Sequence, residues 1–364
     1  MYKSFRVSNF RCFQELTLDS LERVNLVGGA NNVGKTALLE ALFVHCGRYS
    51  PELALRVNAF RGIEFVSLRP DASREAPWDS LFADFDTMKE IEIVGEMEPA
   101  GRELVFLKAL REPEDLAGIS KFEQHEAAEA PAKPENVMPS SGFARVLELR
   151  YEGSQRKGRN LMILDHKGVH LEPVPPPPPF PAFFHPARTR VPAKDQVQRF
   201  SNLQKSGKSD VLLKVLGLIE PRLSRVEILS DASEPVLHGH IGASRPIPLS
   251  AMGGGMVRLT DLVLHIGNAE NGVALVDEIE NGLHHSVLRK VWQAVGEMAR
   301  EFNTQVFATT HSFECIEAAH KAFEESESHS FRFLRLERIK GTIRAVTYDR
   351  ETLAAAIETG MEVR

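Results

Sequence analysis

Eight consecutive residues, Gly29, Ala30, Asn31, Asn32, Val33, Gly34, Lys35 and Thr36, complete the pattern G-x-x-x-x-G-K-[ST]. Glycines at these positions let the backbone wrap phosphate oxygens, and the amides that open the following helix, from Lys35 through Ala37, point at the anion. Lys35 would reach the β- and γ-phosphates, and Thr36 would offer its hydroxyl to Mg²⁺. A second constellation is Val273-Ala-Leu-Val-Asp277-Glu278, an apolar run ending in two carboxylates. The spacing predicts Asp277 in a Mg²⁺ shell and Glu278, pointing the other way, as the base for an attacking water. A third is Thr309-Thr-His311-Ser312, which follows the next apolar run and would put His311 beside a γ-phosphate. A fourth is the glycine-rich stretch Gly253, Gly254, Gly255, which opens a helix pattern and suits an anion. With one complete phosphate loop in the chain, that second loop is expected to face the nucleotide of another subunit.

These residues need a scaffold of strands ending in loops. Arg23–Val27 is a short buried-strand pattern and Thr36–Val44 an apolar helix, the context the phosphate loop requires. Near the other end, a helix around Val257–Ile266 leads to the strand Val273–Val276. The next helix carries an apolar stripe at Leu283, Val287, Val291 and Val295. The strand Gln305–Ala308, a helix at Phe313–Phe323 and a hairpin turning at Lys340-Gly341 follow. Strands alternating with helices at both ends predict an α/β fold with one mixed central sheet assembled from distant segments.

Between the ends, Phe5–Leu18 reads as two short strands around Arg11-Cys12, and Tyr49–Met88 as irregular with an aromatic cluster at Trp78, Phe82 and Phe85. The runs Glu90–Glu96, Glu103–Leu110, Arg145–Tyr151 and Asn160–Asp165 alternate as an antiparallel sheet does. Residues 112–142, rich in Glu, Ala, Pro and Ser, are expected to form a flexible surface loop. Pro175–Pro179 is a stiff polyproline run, either a rigid connector or an adaptor ligand. Phe180–Pro186 reads as a strand returning to the core, and Gln196–Leu223 as helical. The expected division is a single domain over 1–364. Its nucleotide-binding core is 1–48 and 256–364, its antiparallel insertion 89–172, and its helical lobe 187–255.

Composition sets limits on function. Lys plus Arg number 44 against 50 Asp plus Glu, so bulk charge does not point to nucleic acid. The local exception is Arg188, Arg190, Lys194, Arg199, Lys205 and Lys208, read as a solvated helical face or a phosphate-contacting surface. Cys12, Cys46 and Cys315 form no metal or disulfide spacing and are expected to be buried reduced thiols. The first ten residues contain no signal-peptide core, and no apolar run approaches the ~18–20 residues of a membrane span, so a soluble, cytoplasmic protein is expected. Gly207-Lys208-Ser209 lacks the first glycine of a phosphate loop, since position 202 is Asn. His284-His285 are consecutive and would not converge on one metal. No Asn-Lys-x-Asp element reads guanine, which leaves adenine.

The motif set resembles the ABC-type ATPase heads of the SMC, RecF and OLD group, and most resembles the OLD-like AAA family ATPases of bacteria, many of them in anti-phage defence. The matching segments are Phe5–Phe13, Asn25–Leu42, Asp277–His284 and Gln305–Ser312. The resemblance implies a P-loop NTPase head with a mixed central sheet, an antiparallel β subdomain and a helical lobe, using ATP and Mg²⁺. It further implies a homodimer or higher homo-oligomer in which each nucleotide lies between one phosphate loop and the partner's signature loop. Lys35, Thr36, Asp277, Glu278 and His311 then take the roles given above, Gly253–Gly255 is the signature, and Asn281–His284 crosses the interface. Two elements depart from the pattern. Ser250 lies early for the signature serine, and no connecting-loop glutamine is cleanly placed, with Gln196 a candidate. OLD nucleases carry a C-terminal Toprim domain that this sequence has no segment to form, which implies a separate effector polypeptide. The expected function is therefore an ATPase that assembles on ATP and gates such an effector, a Toprim-type nuclease, in anti-phage defence or DNA processing. The alternatives are a RecF-like DNA-binding repair ATPase and a non-hydrolysing nucleotide-dependent scaffold.

Overall fold

A computed structural model describes residues 1–63, 75–111, 145–165, 168–187, 191–231, 234–324 and 330–360. The loop expected at 112–142 and the basic residues Arg188 and Arg190 lie outside the described residues.

The centre is a six-stranded sheet in the order Thr342–Tyr348, Phe331–Ile339, Val24–Gly29, Gln305–Thr309, Val273–Val276, Ala182–His185. Five strands are parallel, and only Thr342–Tyr348 runs against its neighbour. The near-continuous apolar character of Val24–Gly29 and Val273–Val276 follows from cover on both faces. Alternate side chains enter different cores. Val27, Leu275, Phe307 and Leu334 pack with the helix Lys35–Cys46, and Leu26, Ala274, Val276, Val306 and Ala308 pack with the helices Gly254–Asn268 and His285–Glu301. Helix Lys35–Cys46 is buried almost all round because the central sheet lies on one side and a second sheet on the other.

That second sheet is antiparallel and seven-stranded, in the order Phe13–Leu18, Tyr2–Phe10, Ile91–Met97, Gly101–Leu110, Arg145–Glu152, Lys157–Asp165, Gly168–Glu172. The four alternating runs of the sequence are its middle strands, and Tyr2–Phe10 and Phe13–Leu18 extend it at one edge. Gln305 fastens the two sheets: its side chain accepts from Tyr2 N at 2.7 Å and donates to Tyr2 O at 2.9 Å. The proline run Pro175–Pro179 forms no helix or strand and connects the last strand of the antiparallel sheet to the edge strand Ala182–His185.

The Gln196–Leu223 stretch forms two helices, Ala193–Lys205 and Asp210–Leu216. Beyond it lies a three-stranded sheet of Arg225–Asp231, Glu234–His240 and Ile247–Pro248, which sequence patterning did not separate from the helical lobe. In the irregular stretch Trp78 and Phe82 are buried, and Phe85 is exposed. The expectation of three buried cysteines is corrected at one position. Cys46 and Cys315 are buried, but Cys12 is exposed, because it occupies the turn between two paired strands.

No described helix is long and apolar enough to cross a membrane. Among the described residues no group of His, Cys, Asp and Glu has metal-holding geometry, and His284 instead caps helix His285–Glu301 by accepting from Ser286 N.

Candidate functional site

The phosphate-loop strand ends at Gly29, and the chain turns through Ala30–Gly34 into helix Lys35–Cys46. Gly29 and Gly34 sit at φ 139° and 100°, in conformations that side chains rarely adopt. A Cβ on Gly29 would stand 2.5 Å from Leu336 O, and one on Gly34 would stand 2.7 Å from the Phe13 ring and from Cys12 Sγ. Both glycines are therefore required for close approach as well as for the turn. Lys35 is buried, and its Nζ donates to the carbonyls of Gly29 at 2.6 Å and Ala30 at 3.0 Å. Burial lowers its pKa, partly offset by Glu278, Asp277 and Glu280 nearby.

Thr36 Oγ1 donates to Asp277 Oδ2 at 2.9 Å, which joins residues 241 apart in sequence. Thr309 Oγ1 donates to the other oxygen, Asp277 Oδ1, at 2.6 Å and accepts from Glu278 N at 2.8 Å. Burial pushes the Asp277 carboxyl up, and the hydrogen bonds from Thr309 and Thr36 pull it back. Glu278 has a left-handed backbone, φ 48°, which is uncommon for a residue with a side chain. It is held from several sides. Thr309 accepts its N–H, its carbonyl accepts from Asn281 N at 3.0 Å and from Arg258 at 2.8 Å, and its Oε2 accepts from Asn281 Nδ2 at 2.6 Å. Such over-determined strain is found at functional positions.

His311 stands where the next strand ends, its Nδ1 3.8 Å from Glu278 Oε1 and 3.2 Å from Glu280 Oε1. The structure thus brings Lys35, Thr36, Asp277, Glu278 and His311 to one edge of the sheet, as their strand-end positions predict. Open α/β sheets place ligands at that edge.

The glycine stretch Gly253–Gly255 forms the N-terminus of helix Gly254–Asn268, with Gly253 at φ 106°. A Cβ on Gly253 or Gly254 would meet nothing within 4 Å, whereas one on Gly255 would stand 2.9 Å from Gly282 O. The turn therefore packs on the 278–284 loop through Gly255 and leaves Gly253 and Gly254 open on their outer side.

Gln196 does not join the site. It lies on helix Ala193–Lys205, and its amide donates to Asp261 Oδ1 at 2.6 Å. Burial pushes the Asp261 carboxyl up to about 6, and the hydrogen bond from Gln196 pulls against that rise. Lys208 is likewise engaged, with Glu270 at 2.7 Å.

Three residues at the site were given no role by sequence reasoning: Arg258, Thr309 and Glu280. Buried Arg258 donates to Asp277 O at 2.5 Å, Glu278 O and Pro186 O and also meets His185, so it ties the glycine-turn helix to the acid pair. Thr309 and Glu280 sit inside quoted motifs, but nothing in their types told that they would turn inward.

The fold and the phosphate loop define a P-loop ATPase with an ABC-type head. Residues 24–317 match the family described as "AAA domain, putative AbiEii toxin, Type IV TA system", and the chain belongs to that family. It is 22% identical, over 382 aligned positions, to a protein of Helicobacter pylori (strain ATCC 700392 / 26695) named ATP/GTP phosphatase, covering 97% of each chain. In fold it is similar to the SmcHead bound to the C-winged helix domain of ScpA, with a TM-score of 0.50, 11% identity, and 98% of this chain and 99% of that one covered. The Smc head domain with an extended coiled coil, bound to the C-terminal domain of ScpA derived from Pyrococcus furiosus, aligns with a TM-score of 0.49 at 12% identity, over 98% of both chains.

Proposed function

We propose that this ATPase binds ATP with Mg²⁺ at Gly29–Ala37 and Asp277, hydrolyses it with Glu278 as base, and uses the bound state to assemble and to gate a separate effector. The observation that carries the nucleotide site is the hydrogen bond from Thr36 to Asp277, which sets the phosphate loop against the strand-end acids. Hydroxyl and carboxylate oxygens side by side are the hard donors Mg²⁺ takes, together with substrate phosphates. Thr36 and Asp277 would hold the ion, which when bound neutralises charge on the phosphates. Lys35 lies in the same loop mouth and supplies a positive charge toward the β- and γ-phosphates. Glu278, fixed by Asn281 and the strained backbone, takes a proton from the attacking water, and His311 contacts the γ-phosphate.

The open outer side of Gly253–Gly254 supports a signature surface that completes a partner's site in trans, giving a homodimer or higher homo-oligomer. Seating of Gly255 on Gly282 supports a shared interface made with the Asn281–His284 loop. The OLD-like motif set supports an effector of the Toprim nuclease kind in anti-phage defence or DNA processing, in the cytoplasm. On this reading 1–48 and 256–364 form the nucleotide core, 89–172 the insertion, and 187–255 the lobe that carries the signature.

ATP binding and mass measured with and without ATP and Mg²⁺ test the proposal. Lys35→Ala should lose nucleotide binding and the ATP-dependent increase in mass. Wild-type ATP affinity in that variant overturns the site. Turnover stimulated by DNA alone, with salt-dependent DNA binding, would favour a direct DNA-repair role instead.

A further inference from the structure

Glu280 is buried on the loop after the acid pair, and its carboxylate faces the turn that carries His311. One oxygen, Oε1, accepts from Thr310 Oγ1 at 2.8 Å and from His311 N at 3.0 Å, and stands 3.2 Å from His311 Nδ1. The other, Oε2, is buried without a hydrogen-bond partner among the described residues. A structural anchor for the turn would need only the first two contacts. The third sets the chemistry of the imidazole. A carboxylate oxygen only accepts, so a ring nitrogen that bonds to it does so through its N–H. Glu278 Oε1, 3.8 Å from the same nitrogen, reinforces that choice.

We propose that Glu280 is a positioning residue for the ATPase reaction: it binds Nδ1–H of His311, fixes the tautomer and rotamer of the ring, and presents Nε2 to the γ-phosphate. The inference rests on the proposed role of His311 at the nucleotide. With Nδ1 held, Nε2 is the nitrogen left for the ligand, a donor when the ring is protonated and an acceptor when it is neutral. The ring, about half exposed, is otherwise free to rotate, and a carboxylate behind it removes that freedom. Acids that orient a histidine act on turnover more than on substrate binding, because the ring is needed where charge develops.

The test uses the full chain and the variant Glu280→Ala, with Glu280→Gln as the conservative variant, whose amide oxygen still accepts from Thr310, from His311 N and from Nδ1–H. In nucleotide-free protein labelled with ¹⁵N at histidine, the wild-type His311 ring should report the Nδ1–H tautomer, Glu280→Ala should shift it toward Nε2–H, and Glu280→Gln should retain it. In steady-state assays Glu280→Ala should lower kcat at least about 10-fold with KM for ATP changed by less than about 3-fold, and Glu280→Gln should restore most of that loss. Against a His311→Ala background Glu280→Ala should have little further effect, since the two act as a unit. Ring signals unchanged by Glu280→Ala overturn the inference whatever the turnover. Losses that simply multiply in the double variant overturn it as well and leave Glu280 a turn anchor. If the wild-type chain shows no ATP turnover, the functional reading fails instead, and the tautomer measurement still decides the pairing.

Discussion

Thr309→Val isolates the link between the two halves of the site. Valine is β-branched like threonine, so the substitution in the strand Gln305–Thr309 exchanges a methyl for the hydroxyl. That hydroxyl makes two bonds: it donates to Asp277 Oδ1 and accepts from Glu278 N. Losing a bond to a buried carboxylate costs about 1.5–3 kcal/mol, and leaving a partly buried amide unpaired costs about 1 kcal/mol. The expected loss of unfolding free energy at neutral pH is therefore about 2.5–4 kcal/mol. Its pH dependence has a definite sign. Burial raises the folded Asp277 carboxyl above its unfolded value of 3.8, so its contribution to stability is full below that value and is lost as pH rises through the folded one. The Thr309 hydrogen bond is the foremost influence pulling the folded value down, so the variant raises it further. The difference between wild type and variant should then be smaller near the unfolded value, at about pH 4, than at neutral pH. Urea unfolding at both pH values, in Mg²⁺-free buffer, measures it. A difference that does not grow with pH, or that stays below about 0.5 kcal/mol, refutes the argument that Thr309 carries the ionised form of Asp277.

Three further outcomes are expected. Glu278→Gln should keep ATP binding, lose about 10²–10⁴ in turnover and accumulate an ATP-bound assembly visible by sedimentation; turnover equal to wild type means another group is the base. Gly254→Leu should leave folding and ATP binding by the monomer intact, because its Cβ meets nothing within 4 Å, while abolishing ATP-dependent association. Unimpaired association would show that this surface faces no partner. For Asp261, burial raises the carboxyl from 3.8 to about 6, so its contribution to stability is present below 3.8 and is lost as pH rises through about 6. Asp261→Asn should remove that loss and gain up to about 3 kcal/mol over wild type at pH 8; equal pH slopes in the two proteins would contradict it.

The ends of the chain declared themselves in sequence because their patterns are local. Gly29–Thr36 needs only a strand before it and a helix after it, and a run such as Val273–Val276 is apolar throughout because both its faces are covered. The gathering of Lys35, Thr36, Asp277, Glu278 and His311 at one sheet edge followed from motif and strand-end position. What the sequence left open depends on contacts between distant segments. The strands Tyr2–Phe10 and Phe13–Leu18 stand next to the phosphate loop in the chain, yet they join the antiparallel sheet, a choice made by pairing with Ile91–Met97. Cys12 is exposed for the same reason, since that pairing puts it in a turn. Gln196 turned to Asp261 rather than to the site, because the packing of helix Ala193–Lys205 sets its amide against a buried carboxylate on helix Gly254–Asn268. Arg258, Thr309 and Glu280 carry no sequence signal of their own. Their roles arise only when the helix Gly254–Asn268 and the strand Gln305–Thr309 pack beside Val273–Val276, bringing a guanidinium and a hydroxyl onto the acid pair and the His311 turn onto Glu280. The sequence by itself determined the chemistry of the phosphate loop and its acids. The tertiary structure decided what holds them, because hydrogen bonds such as Thr36 to Asp277 span 241 residues and exist only once the sheet has formed.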